Sequence, residues 1–368
     1  MPIKVWEYLQ EYATEKDEVR QAINEVLDSG WLILGDKVAA FEQAYAAYCG
    51  TTFGVGVDNG TNALFLALKA LNVGAGDEVI TVANTAVPTV SAIVSTGATP
   101  VFVDVEQATA LMDVGQLESK VTSRTKVLLP VHLYGQCVDM DAVNAVANRH
   151  ALAVLEDCAQ SHGAEYKGRK AGSLGTISAT SFYPTKILGT FGDGGMVNTS
   201  SEALAQKLKR LRFYGMEKSY YAIEHGYNSR LDELHANILL KKLAHLPTYL
   251  ARRRALAANY DRLLSGSGLG LPSVRTDANH AYYLYVVRHP ARDRILAELK
   301  QREILLNVSY PWPIHTMTGY AHLGYKEGDL PVTEALATQI FSLPMYPSLT
   351  DEQQRLVVDA LHAVLKGL

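Results

Sequence analysis

Through the first two-thirds of the chain, short apolar runs alternate with longer stretches in which apolar positions recur every three or four residues. Val19, Ala22, Ile23, Val26 and Leu27 form one such helical face, and Ser29-Gly30 ends it. Residues 53–57 read as a strand, and residues 62–71 as a helix apolar nearly all round, hence buried. Strand-like runs return at 78–82, 99–103, 126–130 and 153–157. Helical patterns fill the gaps at 88–95, 114–120 and 140–150, the last with Ala142, Val143, Val146 and Ala147 on one face. Repeated strand–helix units predict an α/β fold with a mostly parallel sheet and helices on both faces. Ligands of such sheets gather beyond the carboxyl ends of the strands, where the Asp58-Asn-Gly60 turn and Asp157 both fall.

The pattern then changes. Residues 231–263 are rich in helix formers, and the cluster Arg252-Arg-Arg254 reads as a solvated face. Ser265-Gly-Ser-Gly268 breaks the helix. Beyond it a strand at 281–288 and helices at 292–302 and 351–365 predict a smaller α+β domain. The expected organisation is a large α/β domain over residues 1–245 and a small C-terminal α+β domain over residues 246–368.

Composition narrows the function classes. The chain has 368 residues, 48% hydrophobic and 20% charged, enough for a large core and ordinary for a globular protein. A net charge of -4 offers no basic footprint for nucleic acid or an anionic membrane. The N-terminal Met1-Pro-Ile-Lys-Val-Trp-Glu-Tyr8 lacks an apolar signal region, and no apolar run is long enough to span a bilayer. Cys49, Cys137 and Cys158 are three and widely spaced, which suits neither a disulfide framework nor a zinc site. No histidine falls into a metal-ligand spacing, so no metal is expected, and the reduced cytoplasm is the expected location.

The chemistry concentrates in Ser181-Phe-Tyr-Pro-Thr-Lys-Ile-Leu-Gly-Thr-Phe-Gly-Asp-Gly-Gly195. A lysine between a short aromatic strand and a glycine-rich run, here Lys186, is placed to lose its proton and form a Schiff base with a carbonyl compound. Upstream, Leu152-Ala-Val-Leu-Glu-Asp157 is a buried strand ending in an acid. Lysine and strand-end aspartate are the pair that pyridoxal phosphate requires: one holds the aldehyde, the other keeps the pyridine nitrogen protonated. Phe53-Gly-Val-Gly-Val-Asp-Asn-Gly-Thr-Asn-Ala63 runs from a strand through a tight turn into a helix, a phosphate cradle in which Gly60 permits close approach and Thr61 adds a hydroxyl.

Asp58-Asn-Gly-Thr-Asn-Ala-Leu64, Pro130-Val-His-Leu-Tyr-Gly135, Glu156-Asp-Cys-Ala-Gln-Ser-His-Gly163, the Lys186 segment, Gly226-Tyr-Asn-Ser-Arg-Leu-Asp-Glu-Leu234 and Leu343-Pro-Met-Tyr-Pro347 together resemble the DegT-type PLP-dependent sugar aminotransferases, in order and over essentially the whole chain. The resemblance implies the type I, aspartate-aminotransferase-like fold and a homodimer with active sites at the subunit boundary. It also implies transfer of an amino group from glutamate to a ketosugar carried on a nucleotide. It makes Lys186 the Schiff-base lysine and proton shuttle, and sets Asp157 against the pyridinium nitrogen. Gln160 lies against the ring, and Gly60, Thr61 and Ser181 hold the phosphate. Asn228 reaches that phosphate from the partner subunit. Two departures stand out. Ala86 occupies a position where many relatives carry an aromatic residue stacked on the cofactor, so no stacking residue is named. Asn62 replaces a common aspartate, and a neutral side chain suits a phosphate.

His162, His132 and His315 are candidates for substrate contact, with a structural hydrogen bond the equal alternative for His162. Tyr310-Pro-Trp-Pro-Ile-His315 and Arg212-Phe-Tyr-Gly-Met-Glu217 most resemble the branch acting at carbon 3 of a dTDP-linked 6-deoxy-ketohexose, with carbon-4 enzymes as the alternative. Tyr310 joins the substrate set, and Arg212, Lys218 and Arg230 are the candidate partners for a diphosphate. A PLP-fold sugar dehydratase carries histidine in place of Lys186, and a nicotinamide enzyme needs a third glycine that Gly54-Val-Gly56 lacks. A non-catalytic regulator of the same fold stays open.

Overall fold

The structure is a computed structural model describing residues 2–368. Seven strands form its central sheet: β1 (Phe53–Val57), β2 (Glu78–Val82), β3 (Thr99–Val103), β4 (Thr125–Leu128), β5 (Ala153–Asp157), β6 (Ile177–Ser181) and β7 (Gly195–Thr199). They lie in the order β1-β7-β6-β5-β4-β2-β3. Every pairing is parallel except those of β7, which runs antiparallel to both β1 and β6. The sheet is therefore mixed and mostly parallel, and β2, β6 and β7 are buried at every residue because helices cover both faces.

That topology positions the chemistry. The carboxyl ends of β1, β5 and β6 point the same way, so the Asp58-Asn-Gly60 turn, Asp157 and Ser181 come to one edge. After β1 the chain enters helix α1 (Gly60–Ala70), whose N-cap Asn59 accepts the Asn62 amide at 2.8 Å. After β2 it enters α2 (Val87–Ser95), opened by Pro88 in its first turn, where a missing N–H costs nothing. The pattern expected over 114–120 folds as a 3-10 turn, Val114–Gln116, followed by a single α-turn, Leu117–Lys120.

Helix α3 (Glu233–Leu264) joins the two parts of the chain. Its Leu246 and Leu250 pack into the core around the sheet, whereas Leu256, Ala257, Tyr260 and Leu264 belong to a second core with Tyr285, Phe341, Val357 and Leu361. The buried Glu233 carboxylate accepts backbone amides of Gly35, Lys37 and Val38 at 2.8–2.9 Å, fixing α3 to the N-terminal helices. The Arg252–Arg254 cluster is not a solvated face. Arg253 is buried and its guanidinium donates to the carbonyls of Tyr282, Tyr283 and Met345, while Arg254 reaches those of His280 and Gly163. Arg253 lies on the side of α3 that packs between the two cores, and the Arg253 and Arg254 donors satisfy loop carbonyls that strands leave open. No helix among the described residues is long and apolar enough to cross a membrane.

Candidate active site

Asn59, Gly60, Thr61, Thr85, Ala86, Asp157, Gln160, Ser181, Lys186, Tyr283 and Tyr310 are among the residues lining one cavity of about 310 Å³ at the carboxyl edge of the sheet. Its phosphate-like end is built from α1. The Gly60 and Thr61 amides have no acceptor within their own helix and carry its positive dipole end. Gly60 is sterically obligatory: a Cβ there would lie 2.5 Å from the Ser181 Cβ and 3.0 Å from its Oγ. Asn62 turns away, its amide donating to both Asp58 carboxylate oxygens at 2.9 and 3.0 Å. An aspartate at that position would face Asp58 with a second negative charge, which explains the neutral residue better than any effect on an anion.

At the other end Asp157 is buried. Its Oδ2 accepts the Thr89 hydroxyl at 2.8 Å and its Oδ1 the Ala159 amide at 3.1 Å. Burial raises its pKa above the ordinary carboxylate value, while those two donors and the Lys186 charge pull the other way. Thr89 has one proton and gives it to Asp157, so Thr85, 2.8 Å away, is the donor to Thr89. This two-threonine relay was not anticipated from the sequence. Its only signal was the position of both hydroxyls just beyond β2.

Lys186 Nζ sits 4.6 Å from the centre of the Tyr283 ring, a cation–π contact, and the Tyr283 hydroxyl lies 3.1 Å from Thr185 Oγ1. Tyr283 comes from the C-terminal part of the chain and carries no motif of its own. Gln160 is locked: its Oε1 accepts the Tyr134 amide and its Nε2 donates to the Tyr310 hydroxyl, both at 2.8 Å. Near Ala86 the lining is aliphatic, with Pro88 and Val131, and the rings at the cavity are Tyr183, Tyr283 and Tyr310.

The structure thus brings Gly60, Thr61, Asp157, Gln160, Ser181, Lys186 and Tyr310 together, and leaves the other candidates outside. Asn228 is exposed on a segment that pairs with Phe213, and is not in this chain's cavity. His162 packs between Tyr45 and Phe182, and burial pushes its pKa down to about 3. His315 is buried with Nε2 2.9 Å from Glu334. Arg212 is buried, donating to Gly56 O at 2.7 Å and to Glu42. The Arg230 guanidinium stacks over Phe213 and Tyr214, and Lys218 lies exposed on a hairpin. A neighbour from another element claims the head of Arg212, Arg230 and His315, whereas both ring nitrogens of His162 are buried without a hydrogen-bond partner.

His132 also faces inward. Its Nδ1 accepts the Val138 amide, so the proton is on Nε2 and goes to Glu156 at 2.9 Å. Glu156 additionally accepts amides of Gly172, Leu174 and Gly175. Cys158 completes a tight trio with these two residues. Its thiol pKa is pushed well up by burial, and the lone pairs of His132 and Glu156 are already committed, so the trio ties the loop after β5 to the core.

A buried carboxylate facing a lysine across a cavity whose far end is a bare helix N-terminus suits a flat cofactor that carries a phosphate and a basic ring nitrogen. Pyridoxal phosphate has both, and only a glycine at position 60 lets the α1 N-terminus lie this close to Ser181. The comparisons with known proteins agree. A profile of the DegT/DnrJ/EryC1/StrS aminotransferase family matches residues 13–362. The chain is 53% identical, over all of both chains, to a dTDP-3-amino-3,4,6-trideoxy-alpha-D-glucose transaminase of Micromonospora megalomicea subsp. nigra. It is 44% identical, over 98% of each, to a pleiotropic regulatory protein of Geobacillus stearothermophilus. Its structure superposes on S. venezuelae DesV in complex with a ketimine intermediate with a TM-score of 0.97, at 42% identity and 99% coverage of each chain.

Proposed function

Because the chain belongs to the DegT/DnrJ/EryC1/StrS aminotransferase family, whose enzymes use pyridoxal phosphate, we propose that it aminates carbon 3 of a dTDP-linked 6-deoxy-ketohexose with glutamate as donor. The observation carrying this reading is the single cavity that holds Lys186, Asp157 and the α1 N-terminus, in a chain matching a carbon-3 transaminase end to end. The name of that relative specifies a 3,4,6-trideoxy product, so ketosugars with and without the 4-hydroxyl are the two substrates to compare.

When bound, the cofactor supplies an aldehyde that condenses with amines and a ring that takes up the electrons of a breaking C–H bond. The chain supplies the rest. The Gly60 and Thr61 amides and the Ser181 hydroxyl hold the phosphate. Asp157, oriented by Thr89 and the Ala159 amide, keeps a proton on the ring nitrogen, and its burial excludes the water that would weaken that pairing. Lys186 Nζ accepts a proton from the substrate carbon and returns it. The Tyr283 ring beneath it stabilises the amine in its charged form between those two events. Gln160 and Tyr310, tied to each other, wall the cavity on the side of the C-terminal part.

The active form is a homodimer in this reading, with Asn228 of each subunit completing the phosphate site of the other. Exposed apolar side chains support it: Trp31, Leu32 and Ile33 after the N-terminal helix Tyr8–Ser29, and Tyr214, Tyr220, Tyr221 and Ile223 around the hairpin. A second reading, a regulator that binds the cofactor without turnover, is favoured by the name of the Geobacillus relative. Glutamate alone separates the two, because an enzyme converts the cofactor's absorbance to that of its amino form and releases 2-oxoglutarate. A dTDP-3-ketosugar added next yields the amino sugar, read by mass spectrometry. Absence of a cofactor absorbance band after pyridoxal phosphate is added refutes both readings.

A further inference from the structure

Asp58 stands just before the phosphate cradle but does not line the Lys186 cavity, although Asn59, Gly60 and Thr61 do. A carboxylate beside an anion-binding helix end opposes the anion that the helix attracts, so its presence needs a separate reason. Three hydrogen bonds take up its charge. Two come from the Asn62 side-chain amide, at 2.9 and 3.0 Å, and hold the carboxylate within its own turn. The third comes from the buried Ser229 hydroxyl, 171 residues further along the chain. Ser229 directly follows Asn228.

Both neighbours of Asn228 are attached to the unit that cradles the phosphate. On one side Ser229 is bonded to Asp58. On the other, the Tyr227 ring meets Phe65 of α1 edge-on, with centroids 4.9 Å apart. The backbone of the same segment is fixed as well. The Tyr227 and Ser229 amides donate to the carbonyls of Leu211 and Arg212 at 2.7 and 3.0 Å, and the Arg212 guanidinium in turn donates to Gly56 O in β1. Strand β1, the Asp58 turn, α1 and the Asn228 segment are thus tied together from several directions. Asn228 itself is left exposed between its two anchored neighbours. A binding residue on a loop is only as well aimed as the scaffold beneath it, and here the scaffold is the phosphate cradle.

We propose that Asp58 is a positioning residue for the cofactor of the other subunit: through Ser229 it holds Asn228 where that side chain closes the phosphate site across the dimer. Helix α1 then has two tasks. Its first amides bind the phosphate of their own subunit, while the Asp58 turn and Phe65 aim the residue given to the partner. A change at the Asp58–Ser229 contact is therefore felt in the partner's site and not in its own. The inference rests on the homodimer reading of the preceding subsection, in which Asn228 acts across the subunit boundary.

The test uses hybrid dimers whose subunits carry different affinity tags, one subunit bearing Lys186→Ala. Only the site that keeps Lys186 links pyridoxal phosphate covalently, so the absorbance of that link, titrated with cofactor, reads the affinity of one site. Ser229→Ala placed in the Lys186→Ala subunit is expected to weaken that site by about tenfold, the scale of one hydrogen bond to a charged group. The same change placed in the subunit that keeps Lys186 is expected to leave it unaltered. Asp58→Ala is expected to weaken the site only from the Lys186→Ala subunit. Ser229→Ala deletes one oxygen and keeps the backbone bonds, so it serves alone if Asp58→Ala disturbs folding. Equal weakening from either subunit, or none from both, overturns the inference. Weakening only from the subunit that keeps Lys186 also overturns it, by assigning the contact to its own phosphate turn. Asn228→Ala in the same two arrangements tests the reading beneath. If it too acts only within the subunit that keeps Lys186, the shared site fails. If it acts across the boundary and Ser229→Ala does not, the dimer stands and the part given to Asp58 is refuted.

Discussion

Thr89→Val tests the electrostatics of the site with one atom. Valine keeps the shape of threonine, so the packing of α2 on the sheet survives, but the donor to Asp157 Oδ2 is gone. A hydrogen bond to a charged group is worth about 1.5–3 kcal/mol. If all of it stabilises the carboxylate over the acid, the Asp157 pKa rises by about 1–2 units, at 1.36 kcal/mol per unit. The shift adds to the raising effect of burial. The proposed mechanism requires Asp157 ionised, so the acid limb of the pH–rate profile moves to higher pH by the same amount. Activity lost near neutrality then returns as pH rises. Thr85, buried, loses the acceptor for its hydroxyl, which adds a stability loss of about 1–3 kcal/mol. The assay is kcat/KM against pH for wild type, Thr89→Val and Thr89→Ser, with urea unfolding of each. Serine keeps the hydroxyl and should restore the wild-type limb. An acid limb that stays in place in Thr89→Val, with only a stability loss, refutes the claim that Thr89 tunes Asp157.

Lys186→Ala removes both the anchoring amine and the proton shuttle, so turnover should fall by several orders of magnitude while the phosphate contacts keep the cofactor bound without a covalent link. Borohydride trapping followed by mass spectrometry reports the lost link, and more than a few percent residual turnover excludes Lys186 from its role. Asp157→Asn is expected to stabilise the cofactor-free protein at neutral pH. The raised Asp157 pKa means that folding retains a proton the unfolded chain releases, so wild-type stability declines as pH climbs from the ordinary carboxylate range through the raised value. Thermal unfolding against pH should therefore show the Asn variant ahead at pH 7 and the gap closing in acid, and parallel curves contradict this. Gly60→Ala pushes a methyl group against Ser181, at a cost of about 1–3 kcal/mol, and should weaken cofactor affinity at least tenfold, measured by fluorescence titration. Inactive Lys186→Ala and Asn228→Ala subunits, mixed and reassociated, should recover about a quarter of wild-type activity. Random pairing makes half the dimers hybrids, and each hybrid has one intact site. No recovery argues that Asn228 serves its own subunit.

The local part of this protein was legible from its residues. Short β-branched runs between amphipathic stretches bury both faces of a parallel sheet, and the period of the pattern is enough to place β1, β2, β3 and β5. Strand-to-helix turns announce themselves because glycine and the Asn cap are demanded within a few residues, as at Asn59-Gly60. Asp157 and Lys186 stand out for the same reason: each ends or follows an apolar run where a charge has no structural excuse. What needed the tertiary structure was every decision taken by a distant partner. Thr89 meets Asp157 across 68 residues, and Lys186 meets a Tyr283 whose carbonyl accepts from Arg253 in α3. Arg212, His132, His162 and His315 carry the same chemistry in the sequence as residues that act. Each is buried or bonded by a neighbour from another element, and that neighbour, absent from any local pattern, sets whether a polar side chain faces the cavity or the core.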